Sequence, residues 1–302
     1  MLAAKNLYKK YASTVAVNNV SFTAPRGAVF GLLGPNGAGK TTTIRMILNI
    51  ITPDAGEIFF DTIPIDKETK NRVGYLPEER GLYRKGLVLE TVLYFAALKD
   101  MERTAAKKAA MQWLERFNLA QRTKSKIEEL SKGNQQKIQF IIAVIHDPDL
   151  LVLDEPFAGF DPVNQELLTE IIIEQKERDK TIIFSTHQME QAEKLCDHIC
   201  LINRGNIVLD GTIGDVKKRF GKNSMLVEFT GDGSILKSAP GVESATVYNN
   251  YAELRMRNGN AAGESINAVA EYIADKIPLR KIEIVEPSLH SIFIDVVGEE
   301  TN

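Results

Sequence analysis

The stretch Gly34-Pro35-Asn36-Gly37-Ala38-Gly39-Lys40-Thr41-Thr42 fits the phosphate-binding pattern G-x-x-x-x-G-K-[ST]. It follows the apolar run 28–33, which is typical of a buried strand, and precedes residues 43–48, whose apolar side chains have helical spacing. In this setting the glycines turn backbone N–H groups toward a phosphate at the positive end of the helix. Lys40 would add a charge for the β- and γ-phosphates, and the Thr41 hydroxyl would hold Mg²⁺. The stretch therefore predicts a nucleotide-binding P-loop.

The composition is that of an ordinary globular protein, with 302 residues, of which 44% are hydrophobic and 25% charged. The formal net charge is −3, so no overall positive field favours nucleic acid as a partner. No apolar run approaches the roughly 20 residues of a membrane-spanning helix, and the first residues lack the apolar core of a signal peptide. Two cysteines in a chain of this length fit a reducing compartment. We therefore expect a cytoplasmic protein that reaches a membrane only through a partner.

Upstream of the P-loop, residues 2–30 alternate apolar and polar side chains, which predicts antiparallel strands. Tyr11 lies in this region. Its ring could stack on a nucleotide base, or it could be an ordinary half-buried strand residue. Its position ahead of the loop favours stacking.

Residues 86–146 change to helical spacing, with apolar side chains on one side and charges on the other, as in 91–98 and 105–117. This region is predicted to be a helical insertion. Ser131 and Gly133 stand at the start of its last, strongly apolar helix. Ser131 is either a simple N-cap or part of a second anion site, because free N–H groups at a helix start bind phosphate well. The local sequence is compatible with both.

The run 150–154 is predicted to be a buried strand that ends in two carboxylates, Asp154 and Glu155. Strands of a parallel α/β sheet deliver their last residues to the ligand edge, and successive side chains point in opposite directions. We therefore expect Asp154 to face Mg²⁺ beside the P-loop. Glu155 is expected to point toward the γ-phosphate and an attacking water.

A further buried strand at 181–185 ends at Thr186 and His187. A lone histidine is usually structural, but at the tip of a strand beside a P-loop it can reach a γ-phosphate, and we expect that role for His187. Cys196 and Cys200 flank an Asp-His pair, but their spacing fits no zinc pattern. No metal site is expected there.

The chain is predicted to form two domains, a nucleotide-binding domain over 1–220 and a small α+β domain over 223–302, with a boundary at Gly221-Lys222-Asn223. The second domain has no acid pair, glycine-rich loop or basic cluster, so its sequence assigns it no role. Its predicted elements are strands at 225–229, 244–248, 253–256 and 282–285 and helices at 263–277 and 288–297.

Four motifs in this order closely resemble an ATP-binding cassette (ABC) transporter ATPase over about residues 2–220. The resemblance implies an α/β P-loop NTPase with an antiparallel β subdomain, a parallel-sheet core and the helical insertion. The matching positions are Walker A at Gly34–Thr42, the signature at Leu130–Asn134, Walker B at Leu150–Glu155, the D-loop at Asp161, the switch histidine at His187 and the base-stacking aromatic at Tyr11.

The same resemblance implies a head-to-tail dimer, formed with itself or with a paralogous ATPase subunit, that sandwiches two ATP molecules. Each ATP would lie between the Walker A of one subunit and the signature of the other. Ser131 and Gly133 would then contact a γ-phosphate held by the partner. Transmembrane permease subunits would be the further partners, and they would hold the chain at the inner face of the membrane.

Two motifs depart from the family pattern. In the signature, Lys132 and Asn134 stand where the family has glycine and glutamine, and Glu78 replaces the Q-loop glutamine. A carboxylate at position 78 can still coordinate Mg²⁺, directly or through water, although it adds a negative charge near the γ-phosphate. With residues 74–83, these features resemble a bacterial and archaeal subgroup that serves ABC-2 type exporters, including sodium-efflux systems. The tail past about residue 222 resembles the accessory domain of that subgroup.

The expected activity is therefore Mg²⁺-dependent ATP hydrolysis coupled to export. Glu155 would act as general base or water-orienting group, and His187 would position the water and the γ-phosphate. Lys40, Mg²⁺ and the partner's signature would stabilise charge on the transferring phosphoryl group. ATP would close the dimer and hydrolysis would reopen it, and the segment 79–84 is the expected contact with the membrane subunit.

Three alternative functions compete with this prediction. An ABC-type ATPase of translation or DNA repair usually has two cassettes or a long coiled coil, and this chain has one cassette and no heptad insertion. A P-loop kinase would not be expected to carry the signature or the Asp154–Glu155 pair with His187. An importer stays within the class, and the subgroup resemblance favours export over import.

Overall fold

The computed structural model describes residues 1–66, 68–79, 81–220, 224–257 and 262–299. The chain divides into two compact units, Met1–Asp210 and Gly211–Asn302. The strands as far as Thr212 are β1 (Leu2–Tyr11), β2 (Thr14–Ala24), β3 (Ala28–Leu33), β4 (Ala55–Phe60), β5 (Ile63–Pro64), β6 (Val73–Leu76), β7 (Leu150–Asp154), β8 (Thr181–Thr186), β9 (His198–Asn203) and β10 (Asn206–Thr212). The helices of the same part are α1 (Lys40–Ile47), α2 (Val88–Ala97), α3 (Arg103–Arg116), α4 (Lys132–Val144), α5 (Pro162–Glu177) and α6 (Met189–Leu195).

The antiparallel sheet has the strand order β2-β1-β4-β5, and β1 pairs with both β2 and β4. Its inward positions are apolar and buried, such as Val20 and Phe22 on β2, while the residue between them is exposed. This alternation is the physical origin of the sheet, because each strand can bury only one of its faces. The antiparallel strands predicted over residues 2–30 are confirmed for β1 and β2, whereas residues 28–30 belong to β3 of the parallel sheet.

The second sheet has the order β10-β9-β3-β8-β7-β6 and forms the core of the first unit. Strand β3 lies between β9 and β8, β7 lies between β8 and β6, and all of these pairs are parallel. Every residue of β3, β7 and β8 is buried, as expected for strands covered on both faces. The carboxyl ends of β3, β7 and β8 therefore meet at one edge of the sheet.

The helical insertion predicted over 86–146 contains α2, α3 and α4. Helix α2 begins at Val88, three residues before the predicted start, directly after Leu87, whose backbone is extended. Helix α4 packs on β6, where a Cβ built on Gly74 would lie 2.1 Å from the carbonyl oxygen of Ala143. Only a glycine allows so close an approach between helix and strand.

An ion cluster joins the two sheets of the first unit. The carboxylate of Asp61, directly after β4, accepts from Arg26 at 2.5 Å and from Arg72 at 2.6 Å. Arg72 also donates to Asp149 at 2.8 Å, and Asp149 directly precedes β7. Hydrogen bonding to the Arg26 guanidinium is the largest of the effects that hold the pKa of Asp61 well below its usual range. Both guanidinium groups also lie over the ring of Phe60.

The second unit contains a separate four-stranded sheet of order β12-β13-β11-β14. Its elements are α7 (Ile213–Arg219), β11 (Ser224–Phe229), β12 (Val242–Val247), β13 (Tyr251–Met256), α8 (Ala262–Ile273), β14 (Leu279–Val285) and α9 (Leu289–Glu299). Side chains of the sheet, including Val227 and Leu254, pack with Val269 and Ile273 of α8 in their own hydrophobic core. The unit therefore has the α+β composition predicted for the accessory domain.

The division between the units falls at Asp210/Gly211, ahead of the predicted boundary at 221–223, which lies outside the described residues. Helix α7, whose Val216 is fully buried, is grouped with the second unit. Among the described residues, no helix combines the length and apolarity needed to cross a membrane.

Candidate functional site

Two positions in the loop between β3 and α1 have a backbone conformation that only glycine can adopt. Gly34 has φ +147°, and a Cβ there would lie 2.1 Å from the carbonyl oxygen of Ile202. Gly39 has φ +111°, and a Cβ would lie 2.4 Å from the carbonyl oxygen of Ala16. Both positions are thus closed to side chains by the neighbouring backbone as well as by their own conformation. Gly37 also has a positive φ, +79°, but its surroundings are open.

Backbone hydrogen bonds fix this loop against two other segments. The N–H of Gly205, in the turn between β9 and β10, donates to the carbonyl of Ala38 at 2.8 Å. The N–H of Asn18 on β2 then donates to the carbonyl of Gly205, also at 2.8 Å. Two consecutive backbone hydrogen bonds therefore connect the loop to the β9–β10 turn and that turn to the antiparallel sheet.

Lys40, the first residue of α1, turns its side chain back across the loop. Its ammonium group donates to the carbonyl of Gly34 at 2.8 Å and to that of Pro35 at 3.1 Å. Burial lowers the pKa of Lys40, and the negative charges of Glu155, Asp154 and Glu78 act in the opposite direction. The lysine thus places a positive charge at the entrance of the loop.

A cavity of about 260 Å³ opens beside the loop. Six residues of the predicted P-loop line it, together with a residue of β2 and three carboxylates. The lining residues are Ala16, Asn36, Gly37, Gly39, Lys40, Thr41, Thr42, Glu78, Asp154 and Glu155. The cavity therefore unites the loop with the strand-end acids that the sequence places more than 110 positions later.

Asp154, the last residue of β7, is buried on the wall of this cavity. One carboxylate oxygen accepts a hydrogen bond from the hydroxyl of Ser185, which is paired with Asp154 across β7 and β8. The other oxygen, Oδ2, is buried without a hydrogen-bond partner in the described part of the chain. Burial is the main cause that raises the pKa of Asp154. An unpaired, buried carboxylate oxygen beside a threonine hydroxyl fits a hard divalent cation such as Mg²⁺.

Glu155 follows β7 with the positive φ of +48°, which turns its side chain toward the end of β8. Its carboxylate accepts from the hydroxyl of Thr186 at 3.1 Å and from the backbone N–H of His187 at 2.9 Å. The Nδ1 atom of His187 lies 2.7 Å from the same carboxylate. The Glu155 side chain is only 8% exposed, whereas that of His187 is 47% exposed. A carboxylate held this firmly can orient a water and accept its proton.

The remaining predicted site residues lie outside this cavity. Ser131 is the N-cap of α4 and accepts from the N–H of Asn134 at 3.3 Å, while Asp161 is the N-cap of α5 and accepts from that of Asn164 at 2.9 Å. Both caps are exposed, and Gly133 is half-buried. Tyr11, at the end of β1, is 46% exposed, with the Lys9 ammonium 5.7 Å from its ring centre.

Three residues that matter for this geometry were not predicted from the sequence as parts of the site. Ser185 and Thr186 hold the two carboxylates, and the signal for them is the parallel register that sets the end of β8 beside the end of β7. Gln136 of α4 donates to the carbonyl of Pro156 at 3.1 Å and so ties the signature helix to the residue after Glu155.

The region of Cys196 and Cys200 contains two buried free thiols. Among the described residues, no group of three or more His, Cys, Asp or Glu side chains is arranged to hold a metal ion. Burial raises the pKa of both thiols well above its usual range.

Comparison with known proteins identifies the family that shares this geometry. A family model described as ABC transporter matches residues 17–158, and one described as ATP-binding protein DrrA1-3-like, C-terminal domain, matches residues 211–297. An uncharacterized ABC transporter ATP-binding protein of Bacillus subtilis, YhaQ, is 43% identical over 298 residues, which span 99% of each chain. The chain belongs to the ABC transporter ATP-binding proteins.

Two further ABC proteins support this assignment. The Nod factor export ATP-binding protein I of Burkholderia orbicola is 39% identical over 210 residues, which cover 68% of this ABC ATPase and 69% of that protein. A solved structure of an ATP binding subunit of an ABC transporter matches with a TM-score of 0.69 at 31% identity, over 73% of this chain and 93% of that one. The predicted family and fold class are confirmed, and membership of the ABC ATPases implies ATP binding and hydrolysis.

Proposed function

We propose that this ABC ATPase is the Mg²⁺-dependent, ATP-hydrolysing subunit of a membrane exporter. The observation that carries the proposal is the position of Glu155. Thr186 and His187 hold its carboxylate at the same cavity that the P-loop lines. A phosphate cradle and a fixed carboxylate at one site are the two parts that ATP hydrolysis requires.

Three oxygen-bearing side chains of the cavity would hold the metal ion, namely those of Thr41, Asp154 and Glu78. Carboxylate and hydroxyl oxygens are the ligands that Mg²⁺ prefers. When bound, Mg²⁺ neutralises charge that develops on the phosphate oxygens. Backbone N–H groups within residues 36–42 and the Lys40 ammonium would bind the phosphates from the other side.

Glu155 would orient the attacking water and accept its proton as the bond to the γ-phosphorus forms. The hydrogen bonds from Thr186 and from the backbone of His187 fix the carboxylate in one rotamer before the water arrives. If Nδ1 of His187 donates to Glu155, the neutral ring leaves Nε2 as an acceptor, which suits contact with the water. A protonated ring would instead donate from Nε2 to the γ-phosphate.

The function also requires a second ATPase subunit, either another copy or a paralogue. Ser131, Gly133 and Asp161 do not line the cavity of their own chain, and the two side-chain groups are exposed. In the head-to-tail arrangement of the family, these residues would approach the ATP of the partner. Tyr11, exposed on β1 upstream of the loop, would stack on the adenine of its own chain's ATP.

Export is supported by the name of one relative, the Nod factor export ATP-binding protein I. The permease contact is proposed at segment 79–84, of which Arg80 lies outside the described residues. Gly81 and Leu82 of this segment line a second cavity of about 500 Å³, mostly apolar, and Tyr83 is 70% exposed. Binding there would place the chain at the inner face of a membrane through its partner.

The substitution Glu155→Gln tests the proposed activity. Removing the carboxylate charge while keeping the shape should lower Mg²⁺-dependent ATP turnover at least about 100-fold, because general-base catalysis is lost. ATP binding should persist. Light scattering should show an ATP-induced shift from monomer to dimer, because hydrolysis no longer reopens the closed dimer. Glu115→Gln, an exposed change of the same kind on α3, is the matched control and should leave turnover unchanged.

Two results would contradict the proposal. Turnover of Glu155→Gln close to that of the unaltered protein would exclude Glu155 as the catalytic group. Turnover that persists in excess EDTA would exclude the dependence on a divalent cation.

A further inference from the structure

The phosphate cavity has an unusual balance of charges for a site that receives a polyanion. Among the described residues, its lining contains three carboxylates, those of Glu78, Asp154 and Glu155, against the single ammonium of Lys40. That ammonium donates to the carbonyls of Gly34 and Pro35. The hydrogen bonds of the Lys40 ammonium thus go to backbone carbonyls and not to one of the three carboxylates.

The three carboxylates differ in how they are held. Asp154 and Glu155 are buried and are bonded to Ser185, Thr186 and His187 at the end of β8. Glu78 is exposed, two residues beyond β6, and also lines the cavity. Its charge still acts on both Lys40 and Asp154. Glu78 is thus the one exposed acid among the three described carboxylates that line the cavity.

A second observation fits a cation in this cavity. The Oδ2 atom of Asp154, a residue only 2% exposed, is unpaired within the described part of the chain although it lies at the cavity wall. A buried carboxylate oxygen without a partner is costly unless a ligand satisfies it. The same cation would offset the charge of Glu78.

We propose that Glu78 makes nucleotide binding conditional on a divalent cation. Its carboxylate repels a metal-free triphosphate, and this repulsion disappears when the triphosphate arrives with Mg²⁺. With glutamine at position 78 the cavity would contain one negative charge fewer, and metal-free nucleotide would be tolerated. This inference rests on the proposed function, since it assumes that the cavity binds Mg²⁺-ATP.

The test compares the unaltered protein, Glu78→Gln and Glu79→Gln by titration with the fluorescent analogue trinitrophenyl-ATP, in excess Mg²⁺ and in EDTA. In EDTA, Glu78→Gln should bind about tenfold more tightly than the unaltered protein, the effect expected for removing one charge near a partly solvated polyanion. In Mg²⁺, its affinity should change by less than about threefold, because the cation already offsets the charge. The gain in EDTA should shrink as salt is added.

Glu79→Gln is the matched control, because Glu79 is the neighbouring exposed acid and does not line the cavity. It should bind like the unaltered protein in both conditions. The inference is overturned if Glu78→Gln shows no gain in EDTA, if its affinity rises equally in Mg²⁺ and EDTA, or if Glu79→Gln behaves in the same way. Failure of the unaltered protein to bind nucleotide even in Mg²⁺ would instead overturn the proposed function and the inference with it.

Discussion

The Thr186 side chain is the residue that most directly positions the proposed base. Its hydroxyl donates to Glu155 at 3.1 Å and accepts from the N–H of Gln188 at 3.0 Å, and it is completely buried. The same hydroxyl therefore links the carboxylate to the loop that contains His187. Loss of this link should affect the chemical step more than nucleotide binding, because Thr186 does not line the phosphate cavity.

Thr186→Val, which keeps the shape and removes the hydroxyl, is expected to lower kcat about tenfold with little change in KM, because the carboxylate loses one of its fixed donors. Steady-state ATP turnover measures both parameters. Thr186→Ser keeps the donor and should retain most of the activity. Equal kcat values for the valine variant and the unaltered protein would show that the hydrogen bond to Glu155 is catalytically unimportant.

At the scale of single residues, residue type and chain order predicted most of the groups that line the cavity; Glu78 came from the family resemblance, and Ala16 was not predicted. The P-loop residues, Asp154 and Glu155 occur in patterns whose chemistry is specific, and the structure brings them together. The hydroxyl groups of Ser185 and Thr186, which hydrogen-bond to Asp154 and Glu155, could not be predicted in the same way. The bond from Thr186 to Glu155 depends on the register between β7 and β8 and on the positive φ of Glu155, which are products of the whole sheet.

Among the elements, α4 and β6 are held unusually close together. A Cβ on Gly74 would lie 2.1 Å from the carbonyl oxygen of Ala143 and 2.8 Å from Cγ of Pro148. Helix α4 begins with the signature residues, and β6 leads into the segment that contains Glu78. The contact at Gly74 therefore sets the distance between two segments that the proposed mechanism uses.

Gly74→Ala should lower the free energy of unfolding by about 2–3 kcal/mol, because the new methyl group meets rigid backbone and the helix has to move away. Urea denaturation measures the change. Gly81→Ala is the control, since a Cβ there meets nothing within 4 Å, and its effect should stay within about 0.5 kcal/mol. Similar urea midpoints for Gly74→Ala and Gly81→Ala would mean that α4 can move away from β6 without a loss in the free energy of unfolding.

Element type was predictable from periodicity, but element ends were not. Helix α8 was expected to reach Ile277, whereas it ends at Ile273. Pro278 prevents the helix from continuing through Ile277, because a proline disfavours helical backbone in the residue before it, and the chain already turns at residues 274–277. The effect of a single proline on a helix end is not visible in the apolar periodicity, which averages over many positions.

For the molecule as a whole, the main feature is its division into two units that each have a hydrophobic core. The sequence placed the change at 221–223, and the contacts of the folded chain place it at Gly211. The two positions differ by helix α7, whose Val216 is fully buried. An amphipathic helix beside a boundary can belong to either side, and only its packing decides.

A fragment of residues 211–302 is expected to unfold in one cooperative transition, because it contains a complete core. A shorter fragment of residues 224–302 keeps this core but lacks α7, whose Val216 is fully buried, and should therefore have a lower thermal midpoint. Circular dichroism during heating measures both. Identical midpoints would favour the boundary at 221–223 and would show that α7 adds nothing to the second unit.

The two backbone bonds through Gly205 have a consequence for the way the chain exchanges nucleotide. They join Ala38 of the phosphate loop to Asn18 of the antiparallel sheet. A cradle that is already ordered loses little conformational entropy when phosphates bind, so its contacts contribute to affinity almost undiminished. With these bonds kept, the cradle is expected to hold its shape after product leaves, so that each cycle begins from the same geometry. Any movement that accompanies closing must then come from segments outside the loop.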